Sequence, residues 1–340
     1  MYKVCTQGGS IMKMKKILMI LLAMILAICS MTACKKSDDK KDDSSSAAEG
    51  EQDEPYKIGI SLIDMENPYF ITLERAMRTE LEKDGCTVIM KDPGTDPKLQ
   101  ETQILEMLSE GIDALIVTPV DWEKISPTLK VLSDSEVKII NVDAQVKEME
   151  YVDAYIGSDN RKAGLICGED LIAKCPEGGK IAILECPTQN SINDRISGFE
   201  EALAKATKGF EVVARVDTAG EFEKGLDAAD VIFKEHPDIT AIMCGNDQLA
   251  VGAKAAANVA GLDNVLIYGV DGSPDIKKEL VKDDNQIAGT AAQSPINMGI
   301  HAAQIALKIL NGEEFEKETY EDVFMINSEN VDMYGIDGWQ

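Results

Sequence analysis

Histidine is nearly absent from this chain: 340 residues contain two, His236 and His301. His236 precedes a proline in a turn that ends a helical stretch, and His301 lies within another, so both read as structural. There is no G-x-S-x-G elbow, no phosphate-cradling P-loop and no G-x-G-x-x-G fingerprint, which removes the commoner hydrolase, nucleotidase and dinucleotide chemistries. A paired-carboxylate glycosidase built on Asp143 and Asp271 is the enzymatic arrangement left open, and nothing in the sequence marks either as a proton donor. Cys86, Cys167, Cys175, Cys186 and Cys244 contain no C-x-x-C pair, so neither a zinc nor a redox site is expected. They read as small buried hydrophobes, with a single bridge such as Cys167–Cys175 as the alternative. Positive charge is also scarce: 34 Lys and Arg face 60 Asp and Glu, a net charge of −26. Such a polyanion repels nucleic acid and anionic lipid headgroups, and neither is expected as a partner.

Long apolar runs are missing too. The longest, residues 17–28, is too short to span a hydrocarbon core of roughly 30 Å as a helix. It follows Lys13, Lys15 and Lys16 and ends in Ser30-Met31-Thr32-Ala33-Cys34. A cationic segment, a short apolar segment and small residues before a cysteine resemble a bacterial lipoprotein signal. Residues 1–33 are therefore expected to be removed, initiation falling at Met12 or Met14, and Cys34 to carry lipid. Residues 34–55 are nearly all Lys, Asp, Ser, Ala, Glu and Gly; they can bury little and read as a flexible acidic tether.

From Tyr56 on, short β-branched runs alternate with helical periods. Strands are expected at 57–63, 87–91, 114–118, 138–142, 154–156, 180–184, 211–216, 241–244, 265–270 and 286–288. Amphipathic helices are expected at 69–83, 98–109, 161–173, 193–206, 222–234, 248–259 and 296–310. Repeated βα units of this length imply parallel sheets covered on both faces. Ten strands in a repeated five-strand order predict two doubly wound α/β lobes, with the break after Gly157-Ser158. Ligands of such open sheets sit beyond the carboxyl ends of the strands.

The residues at those ends are polar in a consistent way. Glu66-Asn67-Pro68-Tyr69-Phe70 follows the first strand, Asp143 the fourth, Asn246-Asp247 the eighth and Asp271 the ninth. Carboxylates accept several hydroxyl donors and amides both donate and accept, so the set suits a polyol, with aromatic faces for the C–H surface of a sugar ring. Each Asp or Asn taken singly is as well explained as a helix N-cap.

Taken in order, Asn67-Pro68-Tyr69-Phe70, Gly111-Ile112-Asp113-Ala114, Arg195-Ile196-Ser197-Gly198-Phe199, His236-Pro237-Asp238, Gly245-Asn246-Asp247 and Gly269-Val270-Asp271-Gly272 resemble the ribose/galactose-type (type I) periplasmic sugar-binding proteins. The resemblance covers nearly all of residues 56–328. It implies an N-terminal lobe of 56–158 plus 294–322 and a C-terminal lobe of 159–293 plus 323–340, joined by three crossings. It also implies that Asn67, Tyr69, Phe70, Thr118, Asp143, Arg195, Asn246, Asp271 and Gln293 face the cleft, without cofactor or metal. The sequence departs from that pattern in three places. Ala144 stands where ribose-type members carry an Arg, Gly220 stands where relatives place a stacking aromatic unless Phe222 replaces it, and the galactose-type calcium loop is not visible.

The expected protein is an extracytoplasmic, lipid-anchored monomer that captures a monosaccharide or similar polyol for an ABC permease. The same capture could instead serve a membrane kinase or chemoreceptor. A sugar-responsive transcription regulator would need a DNA-reading segment where the signal lies.

Overall fold

The computed structural model describes residues 54–282 and 286–340; the expected signal segment, Cys34 and all but the end of the tether lie outside the described residues. Strands β1 (Lys57–Ser61), β2 (Thr87–Met90), β3 (Ala114–Val117), β4 (Lys138–Val142) and β5 (Ala154–Ser158) alternate with helices α1 (Pro68–Lys83), α2 (Pro97–Ser109) and α3 (Ser126–Asp134). Next come β6 (Gly179–Glu185), β7 (Phe210–Asp217), β8 (Ala241–Cys244), β9 (Leu266–Asp271) and β10 (Ile287–Ala292), with α4 (Asn160–Lys174), α5 (Asn190–Leu203), α6 (Phe222–Glu235), α7 (Asp247–Ala260) and α8 (Pro274–Leu280). Helix α9 (Pro295–Leu310) and two short strands, β11 (Glu318–Glu321) and β12 (Phe324–Ile326), follow.

Local chemistry sets the helix starts. Asn67, Asp96, Ser273 and Ser294 accept backbone N–H bonds at the caps of α1, α2, α8 and α9, and each cap is followed at once by proline. A proline there costs no hydrogen bond and its fixed φ already suits a helix.

The strands form two sheets, ordered β11-β5-β4-β3-β1-β2 and β12-β10-β9-β8-β6-β7. Without their last-added edge strands the two orders are the same doubly wound pattern, used twice. All pairings are parallel except β12 on β10. Both faces of each sheet are covered, and the period of two in a strand divides the core accordingly. In β3, Ala114 and Ile116 pack with Leu73, Met77 and Met298 of α1 and α9, while Leu115 and Val117 pack with Ile104 and Leu129 of α2 and α3. In β6, Ala182 and Leu184 join the α6–α7 side, and Ile181 and Ile183 join the α4–α5 side. All five body cysteines are free thiols, four of them buried, so the Cys167–Cys175 bridge held open by the sequence is not formed.

The chain passes from one sheet to the other three times: between β5 and α4, between β10 and α9, and between β11 and β12. The ten expected strands are all present. The additional pair, β11 and β12, lies on either side of the third crossing.

Candidate functional site

The carboxyl ends of the two sheets face one cleft. Asp64, Asn67, Tyr69, Phe70 and Asp143 line it from the first sheet's side, and Gln189, Ser191, Arg195, Ala219, Gly220, Asn246 and Asp271 from the second's, around a cavity of about 20 Å³. That is far below the roughly 300–1,000 Å³ typical of small-molecule sites. The lining is polar yet shut away from solvent: Asp143, Arg195, Asn246 and Asp271 are each at most 6% exposed.

Two carboxylates define the cleft. Asp143 directly follows β4 and Asp271 ends β9, equivalent positions in the repeated topology. Both have positive φ, 66° and 136°, a conformation that costs a non-glycine residue about 1–3 kcal/mol and clusters at functional sites. Asp143 is held from several directions. Its N–H donates to the Ile156 carbonyl at 2.8 Å, its own carbonyl accepts from the Tyr155 hydroxyl at 2.7 Å, and its Oδ1 accepts from the Tyr69 hydroxyl at 3.1 Å. Asp271 Oδ1 accepts from Gln293 Nε2 at 2.8 Å and lies 3.7 Å from Arg195 Nη1. Burial, the largest influence, raises the pKa of both carboxyls, and the Arg195 charge opposes it.

Arg195 comes from α5, and three glycines set its place. A Cβ on Gly164 of α4 would lie 1.7 Å from the Arg195 carbonyl oxygen, and one on Gly198 would lie 1.9 Å from that of Arg161. Helices α4 and α5 therefore touch backbone to backbone, with Gly168 continuing the seam. This brings Asn160 within reach, so that Arg195 Nε donates to Asn160 Oδ1 and Nη1 to the Gly245 carbonyl, each at 2.8 Å.

Asn67 and Asn246 do two jobs. Each caps a helix, α1 and α7 respectively, and each lines the cleft. Asn246 also donates to the Gly220 carbonyl at 3.0 Å. Tyr69 and Phe70 meet edge to face with centroids 5.3 Å apart.

Thr118 and Gln293 sit behind the cleft instead of lining it. Thr118 is fully buried, its hydroxyl donating to the Val142 carbonyl at 2.9 Å, where it fixes the residue before Asp143. Gln293 supports Asp271 from below, and its Oε1 is buried without a partner among the described residues. Asp64, Gln189, Ser191 and Ala219 were not anticipated. The strand-end rule itself could have found Gln189, four residues beyond β6, and Asp64, three beyond β1. Ala144 is fully buried and its carbonyl accepts from Asn141 at 2.8 Å. Gly220 stands at φ +77° with Asn246 and Gln189 near its open face, and Phe222 lines the outer groove beyond it. Arg195 is thus the one cation among the described residues that line the cleft.

Comparison with known proteins gives a consistent set of matches. A family model described as periplasmic binding protein domain matches residues 58–314. The ribose import binding protein RbsB of Bacillus subtilis (strain 168) is 30% identical over 263 residues, covering 77% of this chain and 84% of its own. A D-ribose/D-allose-binding protein of Pseudomonas aeruginosa is 31% identical over 288 residues, covering 80% and 88%. Among solved structures, an ABC transporter periplasmic solute binding protein from Actinobacillus succinogenes 130z with bound D-allose superimposes with a TM-score of 0.74 at 25% identity, covering 82% of this chain and all of that one.

Proposed function

Because this chain belongs to the periplasmic binding protein family, in its type I sugar-binding form, we propose that it captures a monosaccharide or similar small polyol between its two sheets and hands it to an ABC importer. It does so outside the cytoplasm, as a monomer tethered through lipid on Cys34. The observation that carries the reading is the facing pair Asp143 and Asp271, one from each sheet, buried, conformationally strained and both within the field of Arg195, which pairs with Asp271. Two acceptor-rich carboxylates, amides at Asn67, Gln189 and Asn246, and the Tyr69 and Phe70 rings suit a ring bearing several hydroxyl donors and an apolar face. One cation against three lining aspartates argues against an acidic sugar.

The lobes are residues 56–158 with 294–322 and residues 159–293 with 323–340. Since the cleft is closed to solvent, ligand must enter while these lobes are apart, and the three crossings between sheets are the hinge. The polyol of the relatives' names is ribose or allose. Here Ala144 contributes no side-chain donor, so a ligand that needs a second arginine in the cleft is disfavoured.

Thermal unfolding of the full chain with D-ribose, D-allose, D-galactose, D-fructose and myo-inositol tests the class. Ligand at about one hundred times its dissociation constant adds about 2.7 kcal/mol of stability. A melting rise with one of them is expected; no rise with any of them would reject the polyol reading.

A further inference from the structure

The geometry points to Trp339 and Gln340 as a strap that holds the cleft closed by bracing both of its carboxylates from behind. The segment is rooted on the second sheet. Val331, Tyr334 and Ile336 pack into that sheet's core, Tyr334 stacks on Phe324 of β12 with centroids 5.0 Å apart, and buried Lys277 of α8 donates to the Gly338 carbonyl at 2.5 Å and to Gln340 Oε1 at 3.3 Å.

From that root the two residues reach different lobes. The Trp339 ring packs with the first sheet's core, edge-on to Tyr69 at 5.8 Å, and Tyr69 is the residue whose hydroxyl holds Asp143. The Gln340 carboxamide stays on the second lobe, donating to the Asp271 carbonyl at 3.0 Å and to the Gln293 carbonyl at 2.7 Å. Those two carbonyls belong to the strained strand end and to the second crossing between the sheets. A Cβ on Gly272 would lie 2.3 Å from Gln340 Nε2, so the amide fits against a bare backbone.

Adjacent Cα atoms are about 3.8 Å apart. Both contacts can therefore exist together only while Tyr69 and Asp271 are close, which is the closed arrangement. A contact made in one state and not the other shifts the equilibrium toward that state. Trp339 and Gln340 are positioning residues: neither is among the residues lining the cleft. The inference rests on the reading of the cleft as one that opens and shuts.

A reporter of closure is built into the chain. The Trp122 N–H donates to the Thr188 carbonyl at 3.0 Å, joining the loop after β3 to the loop after β6 across the two sheets. With 15N-tryptophan in the ligand-free full chain, exchange of the Trp122 amide should accelerate about tenfold in Trp339→Ala and in Gln340→Ala. Trp339→Phe should restore much of the protection, and Met333→Ala, at an exposed site of the same segment, should leave it unchanged. Exchange of the β8 peptide, followed by mass spectrometry, should stay unaltered, which separates opening from general loosening of the fold. Unchanged Trp122 exchange in both variants, or acceleration matched by β8, overturns the strap. Accelerated Trp122 exchange in a protein that binds none of the sugars leaves the strap standing and removes the polyol reading instead.

Discussion

At the residue scale, the cleft holds carboxyl groups where burial works against their charge. Desolvation raises the pKa of Asp143, of Asp271 and of Asp247, which lies beside Asp271's turn and accepts from the Ser273 N–H and the Thr290 hydroxyl, each at 2.7 Å. In the unfolded chain these groups ionise near the ordinary value of 3.8. The folded protein keeps their protons to higher pH, so above that value it binds more protons than the unfolded chain and its stability falls as pH rises through the folded pKa values. The melting temperature of the ligand-free protein should accordingly decline between about pH 5 and about pH 8, and Asp271→Asn should flatten that slope. A slope unaltered by Asp271→Asn would show that the carboxyl is ionised throughout. The sequence made Asp143 and Asp271 legible because both follow runs of buried strand residues. It could not show that Thr118 and Gln293 lie one layer deeper. They too follow strands, but their side chains turn inward to satisfy backbone and carboxylate groups, and only packing decides that.

At the scale of elements, the α4–α5 seam is the least tolerant feature around the site. Gly164→Ala would push a methyl group into the Arg195 carbonyl, and the helices would have to separate. Overpacking of this kind costs about 1–3 kcal/mol, to be measured by urea unfolding. Arg195 would move with α5, so affinity for the bound sugar should fall in the same variant. Gly312→Ala, where a Cβ meets nothing within 4 Å but φ is +70°, should cost stability without touching affinity. The helices and central strands were readable from hydrophobic period because each buries a regular face. Strands β11 and β12 were not. Glu318-Thr319-Tyr320-Glu321 is half exposed and polar, and Phe324–Ile326 is three residues long; both owe their conformation to an edge already formed by β5 or β10.

At the scale of the whole molecule, closure brings like charges together. The outer groove is lined by Asp64, Glu66 and Asp92 from one side and Glu221 and Glu223 from the other, and Asp92 and Glu221 both help raise the Asp64 pKa after burial, its main cause. Screening weakens such exposed repulsion, the Debye length being about 10 Å at 0.1 M salt. Sugar affinity should therefore rise with added sodium chloride, and Glu221→Gln should reduce that dependence; an affinity indifferent to salt would mean the mouth charges play no part in closing. The repeated strand order could be read from the chain, whereas the meeting of these acids across the mouth could not, because it depends on how far the two sheets close.

The central claim is that one small polyol is held by both sheets at once. Isothermal titration of the sugar that raises the melting temperature, into the full chain and into Asp143→Asn and Asp271→Asn, tests it most directly. Taking the partner from a buried hydroxyl costs about 1–3 kcal/mol, roughly a 5- to 150-fold change in affinity. One binding site per chain, weakened to that degree by each substitution alone, is the expected result. Full affinity in either variant would contradict the account, since the ligand would then be held by one lobe or elsewhere.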